Sequence, residues 1–319
     1  MTSRKLVTSL AIVGAFLVAL ALITDALASR REAVAEAAAP PLGQFVTANG
    51  ARVHALVRGA GPDLILIHGA SGNLRDFLPL IDLLAPNYRV IAFDRPGLGW
   101  SDPIPDGATL KAQALQLSAA ATLLGVKNPI VLGQSYGGSV ALEWALFAPV
   151  KPAALVLVSS PSLPWPGKLD WWYQLTASWF GQAIVIPLAA AFVPDSYVNR
   201  TITDIFAPDA APDDYLDYIG AGLTLRRQTL RINAEQVNGL RPQIVAMAPL
   251  YPQLTMPVEL IHGDADTIVP LKIHSLPLSK ILPNATLTIV PGAGHMPHHS
   301  RPDLVIAAIN RAAHRAGLR

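Results

Sequence analysis

A Gly-x-Ser-x-Gly turn set between an apolar strand and an apolar helix constrains this chain more than any other stretch. Ile130, Val131 and Leu132 read as a buried strand, Gly133-Gln134-Ser135-Tyr136-Gly137-Gly138 as the turn, and Ser139 to Phe147 as a helix with apolar residues at helical spacing. A strand reversing this sharply forces the serine into strained backbone geometry, and side chains at the flanking glycines would collide with neighbouring elements. The strain presents the hydroxyl at the carboxyl edge of a sheet. Tyr136 opens the helix, so its N–H has no partner within it and can face an oxyanion. Glycine and serine are common in ordinary turns; the strand before and the helix after favour a nucleophile here.

Apolar strands alternate with helices on either side of this turn. Phe45–Ala48 and Arg52–Val57 flank Asn49-Gly50, a strong hairpin signal. Leu64–Ile67 and Arg89–Phe93 follow as strands with a helix over Leu74–Leu84 between them, then a helix over Thr109–Leu124 and a strand over Ala154–Val158. Near-continuous apolar strands separated by helices predict an α/β fold, a mostly parallel sheet covered on both faces. The alternation stops at Ser160-Pro161 and resumes at Pro257, with strands over Val258–Ile261 and Ala285–Val290 and a closing helix over Pro302–Ala316. The intervening residues open with Trp165, Trp171, Trp172 and Trp179 and read as a helical lid, because an insertion leaving the carboxyl end of a strand emerges where open α/β sheets bind ligands. The expected divisions are an anchor or signal peptide at 1–28, a juxtamembrane spacer at 29–43, core at 44–160, a lid at 161–255 and core again at 256–319.

Leu6 to Ile23 is an unbroken run of apolar and small residues. As a helix it would reach about 27 Å, close to the hydrocarbon thickness of a bilayer. It reads as an uncleaved transmembrane anchor in preference to a signal peptide cut after Ala26-Leu27-Ala28, because the run exceeds the usual apolar core of a signal. Arg4, Lys5, Arg30 and Arg31 flank it on both sides, so charge scarcely decides orientation. An anchor placing the rest of the chain outside the cytoplasm is the expectation. The alanine-rich Arg30–Ala39 stretch reads as a short helix ended by Pro40-Pro41.

The chain has 319 residues, 51% of them hydrophobic, with a net charge of +2 and no cysteine. The even charge argues against a nucleic-acid partner, and the missing cysteines exclude disulfides, thiolate nucleophiles and cysteine metal sites.

For a base to serve Ser135, His295 stands out, since Gly292-Ala293-Gly294-His295 follows the Ala285 strand at the carboxyl edge; His298 is second. His298 and His299 beside it do not make a zinc set, because no carboxylate or cysteine is near in sequence. The acid comes from Asp264 or Asp266, and spacing does not choose between them. His68-Gly69-Ala70-Ser71-Gly72 can lay its backbone N–H groups against the site, with Ala70 the natural partner of Tyr136 as an oxyanion donor and His68 a structural residue.

The ordered set His68-Gly69, Asp94-Arg95-Pro96-Gly97-Leu98-Gly99-Trp100-Ser101, Gly133-x-Ser135-x-Gly137-Gly138, Gly263-x-x-Asp266-x-x-Val269-Pro270 and Gly292-x-Gly294-His295 resembles the α/β-hydrolase superfamily, in its serine-nucleophile branch, from about Phe45 to Leu318. The resemblance implies that fold, a triad of Ser135, Asp266 and His295, oxyanion donors at Ala70 and Tyr136, and Asp94–Ser101 as a structural loop. It implies hydrolysis of a carboxylic ester or related acyl compound without metal or cofactor. Carbon–carbon bond hydrolases and cofactor-free haloperoxidases resemble the same triad, and some members of the fold bind without turnover. Serine at 135 departs from the aspartate of haloalkane dehalogenases and epoxide hydrolases, and His68-Gly69-Ala70-Ser71 departs from the His-Gly-Gly-Gly lipases. The expected substrate is a small, apolar acyl compound, with the membrane as a partner through the N-terminal helix.

Overall fold

The computed structural model describes residues 3–167 and 171–319, with side chains from Val7 onward. Residues 1–2 of the anchor and 168–170 of the lid lie outside the described residues, as do the side chains of Arg4, Lys5 and Leu6.

Eight strands form one sheet: β1 (Gln44–Ala48), β2 (Ala51–Arg58), β3 (Asp63–Ile67), β4 (Arg89–Phe93), β5 (Ile130–Gln134), β6 (Ala154–Val158), β7 (Val258–Gly263) and β8 (Ala285–Val290). Their order is β1-β2-β4-β3-β5-β6-β7-β8, antiparallel through β2 and parallel from β4 onward. The strands are apolar without alternation because both faces are covered. Ile65, Ile67, Val131, Leu155 and Leu157 enter one core, while Leu64, Leu66, Leu132, Ala154 and Val156 enter the other. The first core is completed by α3 (Leu110–Leu123) and α4 (Tyr136–Phe147), and the second by α2 (Leu78–Leu84) and α14 (Pro302–Arg315).

Strand order reverses at β3, whose neighbours are β4 and β5, and such a switch point opens a crevice at the carboxyl edge. Ile67 pairs with Gly133, Val158 with both Gln134 and Ile261, and Gly263 with Val290. The loops after β3, β5, β7 and β8 therefore all leave the sheet at one edge.

Between β6 and β7 lies a run of short helices: α5 (Trp171–Ala177), α6 (Ile186–Phe192), α7 (Asp195–Phe206), α8 (Tyr215–Ile219), α9 (Ala221–Thr224), α10 (Arg227–Asn238) and α11 (Leu240–Met247). After β7 come α12 (Ser275–Ile281) and the single turn α13 (Pro297–Ser300).

The first helix, α1, runs unbroken from Ser3 to Ala38, 36 residues or about 54 Å. No glycine or proline interrupts it between Ile23 and Ala38, so the residues read as a spacer continue the apolar run as one rod. It is long and apolar enough to cross a membrane. Its two halves have different surroundings. From Val7 to Ile23 the large apolar side chains are exposed; from Thr24, itself buried, the helix lies on the insertion. Ala28 packs with Ala190 and Ala191 of α6, and Arg31 donates to Ala191 O and Val193 O. Arg227 of α10 bonds Glu32 at 2.8–2.9 Å, Ser29 at 2.9 Å, and also Asp25. Beyond the helix, Trp100 Nε1 donates to Ala39 O at 3.0 Å, and Arg75 to Pro40 O.

Candidate active site

Ser135 sits between β5 and α4 with φ 48° and ψ −125°, a backbone region that L-residues avoid. The surroundings enforce it. Its N–H donates to Val158 O at 2.8 Å and its carbonyl accepts from Gly138 N at 2.9 Å. The first turn of α4 rests on β3 so closely that a Cβ on Gly137 would strike Ile67 O, and one on Gly138 would strike Ser160. That approach places the corner beside the loop after β3, where a Cβ on Gly69 would lie 3.1 Å from Ser135 Cβ. Ala70 follows directly. Among the described residues, the backbone N–H groups of Ala70 and Tyr136 make no hydrogen bond, and Ser135 Oγ makes none either.

The loops after β7 and β8 bring Asp266 and His295 together. His295 Nδ1 lies 2.8 Å from Asp266 Oδ2, and Asp266 Oδ1 accepts from the N–H groups of Ile268 and Val269 at 2.9 Å each. His262 Nε2, 3.2 Å from Asp266 Oδ2, also bonds Val269 O at 2.6 Å, while its Nδ1 meets Ser275 Oγ at 2.7 Å. Burial opposes ionisation of Asp266, but the hydrogen bonds from His262, His295 and the backbone outweigh it and hold the carboxyl well below its usual range. An ionised Asp266 fixes the His295 proton on Nδ1 and leaves Nε2 as the basic nitrogen. Gln134 Nε2, 3.5 Å from both His295 O and Met296 Sδ, links this loop to the residue before Ser135. Asp264 is elsewhere. It is exposed, and its carboxylate caps Gly292 N at 2.7 Å.

His68 lies beneath the loop after β3. Its Nδ1 meets Gly69 O at 2.8 Å, and its Nε2 accepts from Arg95 N at 2.9 Å. Burial, with Arg95 adding to it, pushes its pKa down to about 4, so it is neutral.

Sequence reasoning missed what Arg95 does. Fully buried, it donates to His68 O at 3.1 Å, Gly69 O at 3.0 Å, and the side-chain oxygens of Gln113 and Gln236, and stacks 4.2 Å above the Tyr136 ring. One planar fork thereby fixes the two carbonyls that precede the Ala70 N–H. The only local signal is an arginine inside a segment otherwise built for a tight apolar turn. Arg95→Lys keeps the charge and loses the fork. If the Ala70 N–H serves as an oxyanion donor in an acyl-transfer reaction, the variant is expected to lower kcat by about 10–10² with little change in KM.

A second cluster lies behind His295. Asp76 accepts from His298 Nε2 at 3.0 Å, His299 Nε2 at 2.9 Å and Tyr215 OH at 2.9 Å. The carboxylate absent from the local sequence thus arrives from 222 positions away. Burial pushes His298 down to about 4, with His299 adding to it, whereas the two imidazoles outweigh burial and hold the Asp76 carboxyl well below its usual range. The three side chains could hold a metal ion, yet Asp76 already accepts from three donors and the set ties α13 to the turn before α2 and to α8.

Besides Gln236 on Arg95, the insertion bonds the loops that carry the site. Asn233 Oδ1 accepts from Ser71 N at 2.7 Å, Thr224 Oγ1 donates to Ser71 O at 2.6 Å, and Asp209 Oδ2 accepts from Gly294 N at 2.9 Å.

A family model described as alpha/beta hydrolase fold matches residues 62–302. A pimeloyl-[acyl-carrier protein] methyl ester esterase of Aliivibrio salmonicida is 27% identical over 259 residues, covering 79% of this chain and 92% of that protein. A putative non-heme chloroperoxidase of Synechocystis is 26% identical over 271 residues, covering 77% and 89%. The crystal structure of a membrane phospholipase A, described as a bacterial virulence factor, superposes with a TM-score of 0.67 at 21% identity over 98% of this chain and 99% of that one. At that identity the match speaks to the fold, α1 included.

Proposed function

Because this chain belongs to the alpha/beta hydrolase fold family, we propose that it is a serine hydrolase cleaving a carboxylic ester through Ser135, His295 and Asp266. The observation that carries this reading is the 2.8 Å bond from His295 Nδ1 to a buried, ionised Asp266 at the sheet edge where Ser135 is held in strain. His295 Nε2 takes the Ser135 proton as Oγ attacks the acyl carbon, and Asp266 steadies the imidazolium. The N–H groups of Ala70 and Tyr136 receive the oxyanion. Collapse expels the alcohol, which takes the proton from His295, and water activated by the same imidazole then releases the acid. The chemistry uses three side chains, two backbone N–H groups and water. The esterase relative supports the acyl class.

The same reading takes α1 as a retained anchor. Cleavage after Ala28 would cut the helix in the middle of its contact with α6 and separate Asp25 from Arg227. Residues 161–255 act as a lid, which the bonds of Asn233, Thr224 and Asp209 to the site loops support.

A fluorophosphonate probe followed by peptide mass spectrometry tests the nucleophile. The adduct is expected on Ser135 in the wild type and absent in Ser135→Ala, alongside loss of p-nitrophenyl ester cleavage. An adduct elsewhere, or ester cleavage that survives Ser135→Ala, overturns the assignment.

A further inference from the structure

Residues 171–192 contain no charged side chain, and they fold as α5 and the continuous Gly181–Phe192 segment, bent 90° from each other. A surface segment of a water-soluble domain does not normally look like this. Trp179 is 83% exposed and Trp171 68%, and Phe180, Ile184, Leu188 and Phe192 are exposed with them. A bent pair this short presents an elbow, and tryptophans on such an elbow favour the boundary between lipid and water.

The position of the elbow identifies what covers it. Its second arm is clamped to α1 through Ala190 and Ala191 against Ala28 and through Arg31. Ala28 lies five residues past Ile23, where the bare apolar stretch ends. Five residues are about 7.5 Å of helix, the depth of a headgroup layer. We propose that the elbow formed by α5, Gly181–Val185 and α6 is a second membrane contact, its exposed aromatic and aliphatic side chains seated in the interfacial layer of the bilayer that α1 crosses. Gln182 bonds Glu235 of α10 at 2.9 Å, and α10 also carries Asn233, which holds the loop bearing Ala70. The lipid surface is therefore joined to the site by one short helix. Resting on the serine-hydrolase reading, the substrate class follows as an amphiphilic ester drawn from that layer.

The absence of cysteine allows single-site labelling of the full chain. Ile184→Cys, Phe16→Cys and Leu123→Cys, each carrying an environment-sensitive fluorophore, are placed in vesicles of phosphatidylcholine and phosphatidylglycerol with or without doxyl-labelled phosphatidylcholine. Quenching is expected at 184 and 16 and not at 123. Quenching at 16 alone overturns the elbow contact, as does cross-linking of 184 between two copies without quenching, which would seat a second chain there. Quenching at neither overturns the anchor itself. In a separate arm, Trp179→Ser with Ile184→Ser is expected to slow cleavage of a vesicle-borne ester by about tenfold, while a short soluble ester is cleaved as before. Equal slowing of both esters overturns the link to substrate. No cleavage of either by the wild type sinks the hydrolase reading instead, leaving the quenching result to stand separately.

Discussion

On the proposed function, Asp266→Asn is expected to lower kcat for p-nitrophenyl ester hydrolysis by about 10⁴, the cost of presenting the imidazole in the wrong tautomer. The amide that replaces the carboxylate no longer demands a proton on His295 Nδ1, so Nε2 becomes the protonated nitrogen and cannot accept from Ser135. Asp264→Asn should leave kcat within about twofold, because the exposed side chain only caps Gly292 N and an amide oxygen does the same. The two residues are neighbours in a loop and chemically identical, which makes the pair its own control. The reverse outcome would reassign the acid. Melting curves on both variants separate lost catalysis from lost folding.

Stability is expected to fall steeply as pH drops from about 6.5 toward 4. Three buried histidines, His68, His274 and His298, are each pushed down to about 4 by burial, with Arg95, His262 and His299 respectively adding to it. In the unfolded chain each titrates near its ordinary value of about 6.5. Between these limits the unfolded state binds the extra protons, so the stabilisation is complete above about pH 6.5 and lost as pH falls through the folded value. Each histidine contributes up to about 1.4 kcal/mol per pH unit, and together they reach about 4 kcal/mol per pH unit, so a fall of one unit removes a large part of a total stability on the order of 5–15 kcal/mol. Asp266 and Asp76, both held low, lose their contribution below about pH 4, so they extend the decline and do not begin it. Urea denaturation between pH 5 and 8 reads the slope. His274 Nδ1 accepts from Ser162 N and Leu163 N, and an asparagine oxygen can stand in that place without titrating. His274→Asn should therefore flatten the slope by about one proton; an unchanged slope would remove His274 from the account.

The sheet was legible because β3 to β7 bury both faces, and that leaves unbroken apolar runs whose length separates them from helices. The strand, serine and helix of the turn were legible for a related reason: a strained corner demands glycines at fixed offsets. Other features depend on partners far away in the chain. Asp264 and Asp266 have equal claims by position, and the family resemblance alone pointed to Asp266; the turn that aims it at His295 and sends Asp264 to Gly292 N is a matter of the folded loop. Arg95 acquires its role from Gln236, and His298 from Asp76. The insertion breaks into helices of 4 to 12 residues, too short for a helical period to stand out. The continuity of α1, by contrast, was present in the sequence as the absence of any breaker between Ile23 and Ala38.

The bonds from Asn233 and Thr224 to Ser71 tie the insertion to the loop that carries Ala70. On the proposed function, any swing of the helices wide enough to part these bonds also slackens the Gly69–Ala70 peptide. Admission of a bulky guest and full transition-state stabilisation then belong to different moments of the cycle, and the hydroxyl of an open molecule has a base beside it but only half of its electrostatic support.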